Sequence, residues 1–320
     1  MKSPSSEIRR ARPLLGTLVE IGAVGDCATS AIEAAFSEIE TVHRLMSFHE
    51  THSDVARINR APASTPLQVD PRTYEVLLWA QKIGGLSKGA FDITVAAKLV
   101  AAGFLPRPDS PWPVEDTRFS DVVLLPNNRV ILKRRLWIDL GGIAKGYAVD
   151  RAAVKLKENG VGSGIVNAGG DLYAFGMPQP ISIRHPENPS LFFSLGTITD
   201  LAVASSSGCF TERDEEGDPI DALVDPRRNA ALRWRKGVTV VAPHCVIADA
   251  LTKVVRLAPR RALKILAQFG AQAVIADRRG VRVSSGDPIQ PSRLELSQYL
   301  TADVLSPESP HFDDQGFPLQ

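Results

Sequence analysis

The sequence predicts an α+β fold: a mixed or antiparallel sheet with helices packed on it. Three observations carry this. Ile32, Phe36, Ile39, Val42 and Met46 recur at spacings of three and four, the period of an amphipathic helix over 28–46. Short apolar runs elsewhere meet at turn residues such as Asn127-Asn128, a hairpin signal. Strands and helices alternate irregularly, with hairpins among them, which disfavours a doubly wound parallel sheet.

Taken in order, "TLVEIGAV" (17–24) reads as a strand before the 28–46 helix. Residues 46–60 break the helical pattern with polar and turn-forming residues. Asp70-Pro71 then starts a helix, an N-cap acceptor followed by proline at the first position. That helix is expected to run to about Ile83 and stop at Gly84-Gly85. The proline-rich stretch 106–117 reads as a loop. Residues 118–140 read as strand, Asn-Asn turn, strand and a further strand ending near Asp139. A helix follows and closes at Gly160. "GIVNAGGDLYAFG" (164–176) reads as a strand turning on Gly169-Gly170, and "ISIRHP", "FFSLGTI" and "AVASSSGCF" give further strands. Residues 238–257 read as strand, loop and helix, and 273–285 as a hairpin at Arg279-Gly280. From about 286 the chain carries prolines, serines and acids, the composition of a loosely attached tail. A tail over 286–320 is therefore expected.

The balance of 37 basic and 36 acidic residues, net +1, gives no electrostatic reason to expect nucleic acid or an anionic membrane as partner. The three cysteines show no metal-site spacing, and their odd number argues against a disulfide framework. The six histidines show no zinc spacing either. Neither a signal peptide nor a transmembrane run is apparent, so a cytoplasmic protein is expected. Serines 205–207 sit in no G-x-S-x-G context, which leaves a hydrolase triad unsupported.

Four stretches hold chemistry-bearing residues. "WIDLGGIAKGYAVDRA" (137–152) places Asp139, two glycines and Lys145 at the start of a helix. Glycines let a ligand approach the backbone, and a helix start offers unpaired N–H groups to an anion. The plain alternative is a tight turn with an exposed lysine. In "IADALTK" (247–253), Asp249, Thr252 and Lys253 share one helix face. An Asp–Thr oxygen pair suits a hard cation such as Mg²⁺; the plain alternative is an N-cap with a surface ion pair. "NAGGD" (167–171) reads as a tight turn before Asp171. In "DPIDALVDPRR" (218–228) an arginine facing a diphosphate competes with a solvated loop.

The ordered set "LLGT", "MSFHETHSDVARIN", "GAFDIT", "IDLGGIAKGYAVDRA", "VNAGGDL", "AVASSSG", "LVDPR", "VTVVAP" and "ADALTKVV" resembles the ApbE-type flavin transferases over roughly 14–285. The resemblance implies an ApbE-like (T-fold-like) architecture and an enzyme that binds FAD and Mg²⁺. Such an enzyme attaches FMN to a Thr or Ser hydroxyl of an acceptor flavoprotein and releases AMP. It implies that Leu15, His49, Ala90, Phe91, Asp92, Asp139, Lys145 and Leu223 meet the nucleotide, with Asp139 toward its adenosine end. It also implies that the Gly142 carbonyl, Asp249 and Thr252 hold the metal.

The sequence departs from that family's pattern at several places. Relatives often carry Met at Leu15 and Tyr at His49. They carry Asp-x-x-x-Thr in the metal helix, where Lys253 stands in the fourth place and Thr252 one residue earlier. Lys253 either fills the place of a metal or points outward. A histidine linked to catalysis is replaced by Ala222, leaving Asp221 as the nearest proton acceptor, with Lys145 as the other catalytic candidate. FAD hydrolysis to FMN and AMP, and non-catalytic FAD binding, stand as alternatives to transfer.

Overall fold

In the computed structural model, the described residues are 7–185, 188, 190–207, 223–227, 230–231, 236–277, 280–283 and 288–289. Among them the strands are β1 (Glu7–Leu14), β2 (Thr17–Val24), β3 (Leu67–Gln68), β4 (Val122–Leu125), β5 (Arg129–Leu132), β6 (Ser163–Ala168), β7 (Asp171–Phe175) and β8 (Gln179–Arg184). They continue with β9 (Phe192–Ile198), β10 (Leu201–Ser207), β11 (Val224–Asp225), β12 (Ala230–Ala231), β13 (Gly237–Ala242), β14 (Gln272–Asp277), β15 (Gly280–Val283) and β16 (Pro288–Ile289). The helices are α1 (Ala28–Met46), α2 (Asp54–Arg60), α3 (Pro71–Ser87), α4 (Ala96–Ala101), α5 (Ala144–Glu158), α6 (Cys245–Leu257) and α7 (Pro259–Gln268).

Nine strands form one sheet in the order β1-β2-β6-β7-β10-β13-β14-β15-β16. All its ladders are antiparallel, as are those of the smaller sheets β3-β5-β4, β8-β9 and β11-β12. Side chains alternate across the sheet with period two. Ala202 and Ala204 of β10 join the large core beneath α1, α5 and α6, while Val203 joins a smaller cluster with Ile181, Ile183 and Leu195 of the β8-β9 ribbon. The α+β class with an antiparallel sheet is therefore observed.

Several element boundaries differ from the sequence reading. Strand β1 lies in a stretch with no assigned element. Within 46–60, residues 54–60 are helical, because Ser53 caps α2 by accepting the Ala56 N–H at 2.9 Å. Helix α3 runs through Gly84-Gly85 to Ser87 and ends at Lys88 in the left-handed conformation (φ 53°). The run 136–140 forms no strand. Helix α7 follows α6 directly, with Pro259 at its first position. The hairpin turn at 278–279 lies outside the described residues. So does the expected tail, apart from Pro288–Ile289, which pairs with β15. No helix among the described residues is long and apolar enough to cross a membrane.

Candidate functional site

The segment from Trp137 to Ile143 is held by Asn59 and by the Ile93 backbone. Trp137, Ile138, Leu140 and Ile143 are fully buried. Asn59 of α2 grips the backbone of Ile138: its carboxamide oxygen accepts the Ile138 N–H at 2.7 Å, and its Nδ2 donates to the Ile138 carbonyl at 3.0 Å. The Asp139 N–H donates to the Ile93 carbonyl at 2.8 Å. With its backbone bonds taken this way, the run has no ladder to join. Asp139 Oδ1 accepts the Gly141 N–H at 3.1 Å and folds the chain toward α5. Burial pushes the Asp139 carboxyl above the ordinary carboxylate range, while the Gly141 N–H and the charge of His49 pull it back.

Asp139 and Gly141 sit where two cavities meet. One, about 370 Å³, is lined by Ala90, Phe91, Asp92, Gly142, Leu223 and Lys253, besides Asp139 and Gly141. The other, about 420 Å³, is lined by Leu15, His49 and Lys145, again with Asp139 and Gly141. Both volumes fall within the range of small-molecule sites. Residues scattered from 15 to 253 in the chain thus line two adjoining lobes that share Asp139 and Gly141.

Asp92 spends its carboxylate locally. Its Oδ1 accepts from the Thr94 N–H (2.8 Å) and hydroxyl (2.7 Å), and its Oδ2 accepts from the Phe119 N–H at 3.0 Å. Burial raises its pKa, and these donors lower it. Lys145 is not the exposed lysine of the plain alternative. Its ammonium pairs with Asp171 Oδ2 at 2.7 Å, and Asp171 is almost fully buried. Burial, followed by the like charge of Asp249, pushes the Asp171 carboxyl up; Lys145 opposes this. Burial likewise works against the Lys145 charge, but Asp171 and Asp249 outweigh it and raise its pKa. The "NAGGD" turn is a hairpin turn as read, and it delivers Asp171 to the site.

Asp249 is neither an N-cap nor on the surface. It is fully buried in the second turn of α6, where His244 holds the cap position. Its Oδ2 accepts the Gly146 N–H of α5 at 3.0 Å, and its Oδ1 is paired with Lys253. In return, Asp150 of α5 accepts the Cys245 and Val246 N–H groups at the start of α6, both at 2.8 Å. Each helix therefore supplies an acceptor for the other's unpaired first turn. Thr252 is fully buried and donates its hydroxyl to the Asp249 carbonyl at 2.7 Å. Neither Asp249 nor Thr252 lines either lobe; Lys253 does. Asp221 and Ala222 lie outside the described residues.

Asn59 and Arg256 escaped the sequence reading, and Asp171 entered it only as the residue after the "NAGGD" turn. Arg256 lines the first lobe and donates to the Ser206 hydroxyl at 2.9 Å. A usable signal existed for Arg256, which stands seven residues after Asp249 on the same helix face. For Asn59 there was none, because its partner lies 79 residues away.

Burial drives the His244 imidazole down from 6.5 to about 4. Between those values the unfolded chain binds more protons than the folded one. The stability this group preserves above 6.5 is thus lost as pH falls toward 4, by up to about 3 kcal/mol. The His244→Gln variant is expected to lose this component, read as a smaller difference between urea midpoints at about pH 4.5 and about pH 7.

The family model described as the ApbE family matches residues 15–275. The chain is 27% identical over 270 residues to the FAD:protein FMN transferase of Vibrio cholerae, covering 78% of this chain and 81% of that relative. It is 27% identical over 322 residues to the FAD:protein FMN transferase of Treponema pallidum, covering 88% and 87%. Among solved structures, the ApbE protein of Thermotoga maritima shares the fold with a TM-score of 0.75 at 27% identity, over 90% of this chain and 99% of that one.

Proposed function

We propose, from the premise that this chain belongs to the ApbE family, that it binds FAD in the two-lobed cleft and transfers FMN to a Thr or Ser hydroxyl of an acceptor flavoprotein, releasing AMP. The observation that supports this reading most is the cleft itself. Its lobes meet at Asp139–Gly141 beside the start of α5, and each has room for one half of a dinucleotide.

In this reading Asp139 accepts a hydrogen bond from the adenosine end, and Phe91 and Leu223 give apolar surface to the other nucleotide half. The acceptor hydroxyl oxygen bonds to the FMN phosphorus. The bond from that phosphorus to the bridging oxygen breaks, and the oxygen leaves with AMP. The hydroxyl proton passes to a nearby base, for which Asp221 is proposed. Negative charge grows on the phosphoryl and leaving oxygens, and fixed cations aimed at it lower the barrier. Lys145 and Lys253 are the cations proposed for this role. Lys145→Met is expected to slow AMP release roughly 10²-fold, the usual effect of removing one such donor, in a coupled AMP assay.

The Mg²⁺ that the resemblance attaches to this chemistry does not fit the residues present. Both Asp249 oxygens have partners, one of them a cation, and the Thr252 hydroxyl is turned into its own helix. Among the described residues no three His, Cys, Asp or Glu side chains converge as a metal site.

The test is a mass spectrum of a Thr-containing acceptor protein after incubation with the enzyme and FAD, alongside AMP measurement. A gain of FMN less water, with AMP, supports the transferase. AMP without the gain points to FAD hydrolysis. Retained FAD without AMP points to a flavin-binding protein and overturns the catalytic reading.

A further inference from the structure

We propose that the Lys253 ammonium supplies the positive charge that a divalent ion would bring to this cleft, so that the chain binds a nucleoside diphosphate linkage without metal. This rests on the reading of the cleft as an FAD site and deepens it.

The first ground is that Asp249 is already neutralised. Its Oδ2 holds the Gly146 N–H, and its Oδ1 holds Lys253. A Mg²⁺ ion needs near-octahedral oxygen ligands at short range. It would have to displace an ammonium built into the same helix, and the two cations would repel. The second ground is how Lys253 is anchored. An ammonium has three N–H donors. Two are fixed within α6, one on Asp249 Oδ1 and one on the Asp249 carbonyl at 3.0 Å. The side chain is only 17% exposed, against 0% for Asp249. The third ground is direction. Lys253 lines the first lobe, and its Cε lies 3.7 Å from where a Cβ on Gly142 would be. The remaining donor is therefore held beside the glycine turn, the place for a phosphate oxygen. A fixed lysine carries one charge, not two, but it is present before the ligand arrives and needs no ion from solution.

The experiment measures FAD affinity by fluorescence for the wild-type protein, Lys253→Met and Lys253→Thr, each in EDTA and in Mg²⁺. Mn²⁺ binding to the same proteins is followed by electron paramagnetic resonance without nucleotide. Circular dichroism confirms that the variants fold. The wild type is expected to bind FAD within about twofold equally in both buffers, and Lys253→Met about tenfold or more weakly in both. Lys253→Thr frees Asp249 and places a hydroxyl four residues on, so it is expected to take up Mn²⁺ and to make FAD affinity depend on Mg²⁺. A wild type that needs Mg²⁺ for FAD, or that binds Mn²⁺ with loss on Asp249→Asn, overturns the proposal and leaves the FAD site standing. A wild type that binds FAD in neither buffer overturns the FAD reading. The Mn²⁺ titration then still decides: uptake by the wild type counts against Lys253, and uptake only after Lys253→Thr counts for it.

Discussion

Gly146→Ala is expected to lower the melting temperature by roughly 10 °C, and Gly146→Val to leave little folded protein. A Cβ at this position would stand 2.3 Å from the Cys245 carbonyl oxygen and 2.8 Å from the Asp249 Cβ. Neither neighbour is a flexible tip: one is backbone and the other is the root of a buried side chain. Helices α5 and α6 would have to separate. That would stretch the Asp249 bond to the Gly146 N–H and the two bonds from Asp150 to the start of α6. Overpacking of this kind costs about 1–3 kcal/mol, and each buried donor left without a partner adds about 1–3 kcal/mol. A sum of about 4 kcal/mol corresponds to the stated shift at roughly 2–4 °C per kcal/mol. A calorimetric scan of Gly146→Ala decides this, and a melting temperature within about 2 °C of wild type would show that the helices are not packed this closely.

Asn59→Leu is expected to destabilise the protein by about 2–5 kcal/mol, because the Ile138 N–H and carbonyl lose their partners in a dry interior. The substitution nearly conserves volume, so the lost hydrogen bonds rather than a cavity set the cost. It also frees the segment that aims Asp139, and FAD affinity is expected to fall about tenfold or more under conditions where the variant is still folded. Asn59→Asp keeps the acceptor for the Ile138 N–H but removes the donor and adds a buried charge, so it is expected to be no better. Urea melts and FAD titration of both variants are the measurements. Unchanged FAD affinity in Asn59→Leu would show that Asp139 is aimed by something else.

Local chemistry made much of the fold legible. Helix α1 followed from its apolar spacing, and the start of α3 from Asp70, whose side chain accepts the Arg72 N–H at 2.9 Å. The end of α3 was not legible. Gly84 weakens the helix by propensity, but it lies so close to the Phe119 ring that a Cβ would come within 2.8 Å of it, and tertiary packing prevails. Residues 136–140 have the apolar character of a buried strand. Apolarity reports burial, however, not the identity of the hydrogen-bond partner, and here the partners are a side chain and a distant carbonyl. At the site, Leu15, His49, Ala90, Phe91, Asp92, Asp139, Gly142, Lys145 and Leu223, named from the motifs, line the two lobes, whereas Asp249 and Thr252 do not. The motifs did not show that Lys145 is committed to Asp171 or Lys253 to Asp249. Those pairings depend on how strands and helices far apart in sequence come together.

The crossed acceptors between α5 and α6 also bear on biosynthesis. Asp249 lies 103 residues beyond the Gly146 amide it serves, and Asp150 waits 95 residues for Cys245. A nascent chain that has emerged only as far as α5 therefore carries a Gly146 amide that lacks its carboxylate, and an Asp150 carboxylate that lacks its amides. Neither defect can be repaired locally. The start of α5 is fully hydrogen-bonded only when α6, in the last third of the chain, arrives. Until then the apolar side of α5 that packs against α6 stays uncovered, the kind of unfinished surface on which chaperones act in general.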